Sequence, residues 1–242
     1  MINLYNGDCL ELMPKYVEDK SIDLILCDLP YGTTDNEWDV IIPFTDLWNE
    51  YNRVIKDNGA IVLFSQMPFG AYLINSNKKN FRYEWIWEKE GSTGFLNAKK
   101  CPLKKHENIL VFYKQLPTYN PQGLTLLDKP RYRKKRAKSC PNYKMTNEKD
   151  HFQTHTNYPT DILQFSRDKG LHPTQKPVKL LEYLIKTYTN EGELVLDNCM
   201  GSGSTGVACL NTNRRFIGIE KDETFFKVAK DRITYPELKN AA

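Results

Sequence analysis

The sequence predicts an α/β fold: a doubly wound, mainly parallel sheet of seven strands, with an antiparallel edge hairpin and one small inserted region. Three observations predict it. Short apolar runs rich in Ile, Leu, Val and aromatic residues recur along the 242 residues. Most of them are separated by stretches of helical character, and several end at an acid followed by a turn.

The first run is INLY (2–5), followed by the helical stretch DCLELMPKYV (8–17). IDLILC (22–27) is apolar almost throughout, as a strand covered on both faces must be; PFTDLWNEYNRVIKDNG (43–59) follows it as a helix. AIVLFS (60–65) is the third strand, with PFGAYLINSN (68–77) as its helix. YEWIWE (83–88) and NILVFY (108–113) have no adequate helix between them, so they are expected to pair antiparallel near the sheet edge through a long loop containing Gly91 and Gly94. From Lys114 to about Phe165 the chain is polar, basic and proline-bearing without a clear period, which marks an insertion. Alternation then resumes with a helix from Lys176 to Asn190, strand ELVLD (193–197), helix STGVACLNT (204–212), strand RFIGIE (215–220) and helix DETFFKVAKDRI (222–233). This divides the chain into residues 1–113 and 166–242, two halves of one domain, around an insertion at 114–165.

Hydrophobic residues make up 40% and charged residues 26%, a folded-protein balance that excludes a mainly disordered chain. No apolar stretch is long enough to span a bilayer, and MINLYNGDCLE lacks the basic flank and apolar centre of a secretory signal, so a cytoplasmic protein is expected. The six cysteines show no CxxC spacing; Cys9, Cys27, Cys199 and Cys209 sit in or beside apolar runs and read as buried thiols, with no metal site expected. The formal charge of +4 does not by itself identify a polyanion binder, but RYRKKRAK (131–138) concentrates cations around a tyrosine. A solvated loop is the plain alternative for that cluster.

LVLDNCMGSGSTGVACL (194–210) is a strand, an acid and then glycines opening a helix, and Gly201, Gly203 and Gly206 satisfy G-x-G-x-x-G in a Rossmann-like setting. A P-loop would carry a lysine here, and this loop has none. A pyrophosphate suits a glycine turn at a helix N-terminus. Asp8, Asp28 and Asp197, however, all fall at predicted strand ends, and three carboxylates repel a polyanion and attract a cation. S-adenosylmethionine, with its ammonium, its sulfonium and a ribose that Glu220 could bind, meets that demand. The plain alternatives are helix-to-strand packing for the glycines and an ordinary turn acid for Asp28.

In DLPY (28–31) the proline biases Leu29 towards an extended backbone, which restricts the direction of its carbonyl. If Asp28 and that carbonyl each accept a hydrogen from an exocyclic amine, the nitrogen can pyramidalise and attack a methyl group. Tyr31 offers an aromatic face to the base, a contact of about 1–3 kcal/mol in single-stranded sites. A paired base cannot reach such a pocket and must first turn out of the duplex.

DLPY resembles the Asp-Pro-Pro-Tyr motif of the DNA amino-methyltransferases, and DNCMGSGST (197–205) is similar to that family's cofactor motif. HPTQKPVKLLEYLI (172–185) resembles the segment preceding that motif, and the order of motifs resembles the β arrangement. The resemblance implies an adenine-specific, S-adenosylmethionine-dependent DNA methyltransferase, with a target-recognition region as the insertion. Asp28, Leu29, Pro30 and Tyr31 would then grip the flipped base. Asp197, Gly201, Gly203, Ser204 and Thr205 would surround the methionine part of the cofactor, beside Cys199. Glu220 would take the ribose, Asp8 and Cys9 would lie beside the adenine, and Asp28, Thr174 and Lys176 would also approach the cofactor. Arg131, Arg133, Lys134, Lys135, Arg136 and Lys138 would hold double-stranded DNA. His172 reads as structural. A homodimer and a cognate restriction enzyme are further partners the resemblance admits. Leu29 departs from the family in replacing a proline, and Cys199 in standing where Phe is usual. A cytosine or RNA amino-methyltransferase, and a catalytically silent DNA-binding module, are the competing readings.

Overall fold

The computed structural model describes residues 1–33, 36, 39–134, 150–168 and 175–235, with only the backbone at Arg133 and His151. Two compact units are present: Met1–Asn120 with Asp161–Ala242, and Pro121–Thr160.

The larger unit is an α/β structure built on a mixed, mostly parallel sheet. Its strands are β1 (Ile2–Asn6), β2 (Ile22–Cys27), β3 (Ile55–Ser65), β4 (Phe81–Thr93), β5 (Lys104–Phe112), β8 (Ile162–Gln164), β9 (Leu194–Asp197) and β10 (Arg215–Glu220), and its helices are α1 (Cys9–Tyr16), α2 (Phe44–Val54), α3 (Phe69–Ser76), α4 (Val178–Tyr188), α5 (Ser204–Asn211) and α6 (Glu223–Thr234). The strand order is β1-β10-β9-β2-β3-β5-β4-β8. Only β5 runs against its neighbours; every other pairing in the sheet is parallel.

Helices cover both faces. One apolar cluster joins Leu24, Leu26, Val62 and Phe64 to α4, α5 and α6 through Leu181, Val207 and Ile233. The other joins Ile25, Ile61 and Leu63 to α1, α2 and α3 through Met13, Tyr51 and Phe69. Residues of β2 alternate between the two clusters, which is why this strand reads as continuously apolar. In α2, Leu47, Trp48, Tyr51 and Val54 are buried at spacings that line one helical face. Caps fix two of the helix starts: the Asp8 carboxylate accepts from Leu10 N at 3.0 Å, and Asp222 accepts from Thr224 N at 2.8 Å and Phe225 N at 2.9 Å.

The structure departs from the sequence-based expectation in three places. Among the described residues the sheet has eight strands, not seven, because Ile162–Gln164 pairs parallel with β4 and covers its open edge. Helix α2 stops at Val54, not Gly59, since Ile55 is drawn into register with Ile22 and the strand starts five residues early. Gly91 lies within β4, at a register shift between Glu88 and Thr93, so the loop to β5 is shorter than expected and turns through a 3₁₀ segment at Phe95–Asn97.

The smaller unit holds an antiparallel pair, β6 (Thr125–Arg133) and β7 (His151–Thr156). Among the described residues no helix is long and apolar enough to cross a membrane.

Candidate active site

Strand β2 hydrogen-bonds β9, with Ile25 opposite Leu196, although the two are 171 residues apart. From β2 the chain proceeds to β3 on one side, and from β9 to β10 on the other, so a crevice opens at their carboxyl ends. A cavity of about 780 Å³ occupies it, lined by Asp8, Asp28, Tyr31, Asp197, Gly201 and Glu220 among others. Because β5 is reversed, its beginning meets the ends of the other strands, and this brings Glu107 to the same edge.

The β9 side forms an acidic, hydrogen-bonded cradle. Asp197 Oδ2 accepts from Thr205 Oγ1 at 2.6 Å and Oδ1 from Cys199 N at 3.1 Å. Burial pushes its carboxyl up to about 7 against these hydrogen bonds, with the charge of Asp28 adding to the rise. Glu220 accepts from Gly201 N and Asp222 N, both at 2.8 Å; burial raises its pKa while those backbone donors oppose the rise. Asn198 accepts from Tyr51 Oη at 2.6 Å and reaches the thiols of Cys9 and Cys199, each at 3.5 Å.

The three glycines divide their work. Gly201, at φ +51°, has open space where a Cβ would stand. A Cβ on Gly203, at φ +80°, would lie 2.9 Å from Ala229 Cβ, and one on Gly206 would lie 2.4 Å from Ile233 Cδ1. These two let α5 close onto α6, and Gly203 is not among the residues lining the cavity.

On the β2 side, Tyr31 Oη donates to Asp28 Oδ1 at 2.6 Å and its ring rests on Phe69 with centroids 4.9 Å apart. Leu29 and Pro30 line the same cavity. Asp39 ties the following turn by accepting from Gly32 N at 2.9 Å and Thr33 N at 2.8 Å. Burial, then the charges of Asp28 and Glu107, raise the Tyr31 phenol well above its ordinary value, so it stays a donor.

Lys176 also lines the cavity, where it contacts Asp28 Oδ2 and stands 3.3 Å from Glu107 Oε2. Lys89 meets the other Glu107 oxygen at 2.5 Å. Burial works against the Lys176 charge, but Asp28 and Glu107 outweigh it and hold its pKa above the usual lysine value. Likewise burial favours protonation of Glu107, and Lys176 and Lys89 reverse this and lower its pKa. Sequence reasoning missed Lys89, Glu107 and Asp39. A weak signal existed for Lys89, which continues the buried alternate row Trp85, Trp87 along β4 where an apolar residue would be expected.

Of the remaining predicted site residues, Asp8, Cys9, Cys199, Ser204 and Thr205 line the cavity. Arg131 and Arg133 lie on β6, two residues apart, with Lys134 next. Thr174, Lys135, Arg136 and Lys138 lie outside the described residues, as does His172.

A profile described as DNA methylase matches residues 22–231. The chain belongs to this DNA methylase family. Among similar proteins, the type II methyltransferase M.HpaI of Haemophilus parainfluenzae is 31% identical over 236 residues, covering 90% of this chain and 70% of that one. The DNA adenine methyltransferase YhdJ of Escherichia coli (strain K12) is 28% identical over 249 residues, covering 95% and 82%. The crystal structure of the M1.HpyAVI–SAM complex superposes with a TM-score of 0.66 at 27% identity, over 96% of this chain and all of that one. The cytosine-N4-specific PvuII DNA methyltransferase shares the fold, with a TM-score of 0.71 at 17% identity. The matched stretch of this DNA methylase includes both strand ends that build the cavity.

Proposed function

We propose that this DNA methylase transfers a methyl group from S-adenosylmethionine to the N6 amine of an adenine turned out of double-stranded DNA. One observation carries the reading: the Asp28–Tyr31 turn and the Gly201–Thr205 loop, from opposite ends of the sequence, line one cavity whose walls bear Asp8, Asp28, Asp197 and Glu220. The donor set fits the cofactor, since the acids suit an ammonium and a sulfonium, and the open side of Gly201 lets a ligand approach the backbone.

Asp197, with Ser204 and Thr205, would hold the methionine part, Glu220 the ribose hydroxyls, and Asp8 and Cys9 the adenine edge. The bound cofactor supplies an electrophilic methyl group. Asp28 accepts a hydrogen of the exocyclic amine through a carboxylate oriented by Tyr31, and the Leu29 carbonyl accepts the other. Both acceptors localise the nitrogen lone pair, which ring conjugation otherwise withdraws. Pro30 holds the turn, and Tyr31, backed by the buried ring of Phe69, gives the purine an aromatic face. The basic segment 131–138 would contact phosphates as part of a target-recognition region.

Adenine is preferred to cytosine on the aspartate at position 28 and on the likeness to the DNA adenine methyltransferase YhdJ. The test is methylation of matched DNA and RNA duplexes with labelled cofactor, followed by nucleoside analysis. N6-methyl-2′-deoxyadenosine, from DNA alone, is the expected product. N4-methylcytosine, a methylated RNA, or no product with no cofactor binding would each overturn the assignment.

A further inference from the structure

Both oxygens of Asp28 are already engaged, Oδ1 by the Tyr31 hydroxyl at 2.6 Å and Oδ2 by the Lys176 ammonium. Each oxygen can accept a second hydrogen bond, but an amine arriving at this carboxylate would share it with a phenol and an ammonium that already draw on its electron density. Tyr31 is three residues away on the same turn and its ring is packed on Phe69, so it has little room to withdraw. Lys176 has a flexible four-carbon stem and a second carboxylate within reach.

That second carboxylate is unusual. Glu107 is 7% exposed and has Lys89 on Oε1, yet its Oε2 accepts no well-aligned hydrogen bond among the described residues. A buried acceptor left in this way calls for an explanation. Its position supplies one, because the unsatisfied oxygen lies 3.3 Å from the Lys176 Nζ. Phe64 presents its ring to the same ammonium at 5.1 Å, giving the cation an attractive wall beside both carboxylates. Lys89, Glu107, Lys176 and Asp28 sum to zero charge, so a shift of Lys176 between the acids leaves the buried group neutral overall.

Resting on the function proposed above, we infer that Lys176 is a displaceable counter-ion that yields Asp28 to an incoming exocyclic amine by passing to the open oxygen of Glu107. The amine then meets a carboxylate whose electron density is not drawn towards an ammonium, and Lys176 completes the hydrogen bonding of Glu107. Lys176 is a positioning residue on this account, and Glu107 and Lys89 form its receiving site. The plain alternative is a fixed ionic cross-link holding the segment before α4 to β2 and β5.

The two accounts differ in the sign of an interaction between mutations. Glu107→Gln takes away the charge on which Lys176 lands and leaves it held on Asp28. Single-turnover methyl transfer, and 2-aminopurine fluorescence for base extrusion, are read on a duplex carrying the motif found by sequencing modified bases from expressing cells. Transfer is expected to fall at least tenfold, with the extrusion signal reduced and the calorimetric cofactor Kd within threefold of wild type. Adding Lys176→Met to Glu107→Gln leaves Lys89 and Asp28 balanced and frees Asp28, so transfer should recover at least fivefold relative to Glu107→Gln alone. A cross-link predicts a further loss, and a double variant no faster than Glu107→Gln overturns the inference. If melting curves show that Glu107→Gln does not fold, Glu107→Met, which also removes the charge, serves in both arms, with the same signs expected. A wild-type protein that methylates no DNA overturns the functional reading and this inference with it. A methylating wild type without the sign reversal overturns this inference alone.

Discussion

Raising the pH from 6 to 8 should tighten S-adenosylmethionine binding about tenfold, through Asp197. The carboxyl is buried and pushed up to about 7, from a usual value of 3.8, so in the free protein it is largely protonated at pH 6 and ionised at pH 8. A cationic ligand selects the ionised form. With a pKa of about 7 the apparent Kd carries a factor of one plus ten to the power of the pKa minus the pH, about 11 at pH 6 and about 1.1 at pH 8. Glu220, raised in the same direction, steepens the acid side. The same shift sets a stability trend. Because the folded state holds the proton more tightly than the unfolded chain, stability falls as pH rises between about 4 and 7. The upper bound of this effect is about 4 kcal/mol. Calorimetry in buffers of differing ionisation enthalpy should record close to one proton released per cofactor bound at pH 6 and little at pH 8. In Asp197→Asn the cofactor should bind more weakly, with a flatter Kd between these pH values, and the fall in apo melting temperature from pH 5 to 8 should shrink. A wild-type Kd constant within twofold from pH 6 to 8, without proton release, would refute the reasoning.

Asp28→Ala should abolish methyl transfer while leaving the calorimetric cofactor Kd within tenfold, because that acid acts on the base; equal loss of both would remove it from the role given. Gly206→Ala should lower the unfolding free energy read from urea titration by about 1–3 kcal/mol through overpacking, since the added carbon would stand 2.4 Å from Ile233 Cδ1 and 2.8 Å from Phe216 Cε1. Neutralising the cations of 131–138 together should weaken DNA binding and flatten its dependence on salt, by about 0.9 in the log–log slope for each phosphate that is no longer neutralised. An unchanged slope in a filter-binding titration would mark the segment as a solvated loop.

What could be read from the sequence was whatever is written locally. IDLILC ending at Asp28 and LVLD followed by glycines each carry their signal within a dozen residues, because a strand buried on both faces has an unbroken apolar text. RFIGIE was located to the residue for the same reason. Strand β8 was not legible: it has three residues, one of them buried, and exists because β4 offers an edge. The end of α2 was misplaced because Ile55 chooses between helix and strand through its pairing with Ile22, a partner 33 residues away. In the site, Lys176 was recognised as a useful cation, but its partners Asp28 and Glu107 are 148 and 69 residues distant and nothing adjacent announces them. Glu107 reads as an ordinary polar residue at the start of a strand; only the reversal of β5 turns it towards the crevice.

The pairing of β2 with β9 has a consequence for how such a protein comes to be active. The turn at Asp28 leaves the ribosome early, but the wall it needs lies some 170 residues later, so the nascent chain stays inert until most of it has been translated. Two separately expressed pieces, cut between those strands, would each lack half of the reaction chamber, and activity would report their reunion.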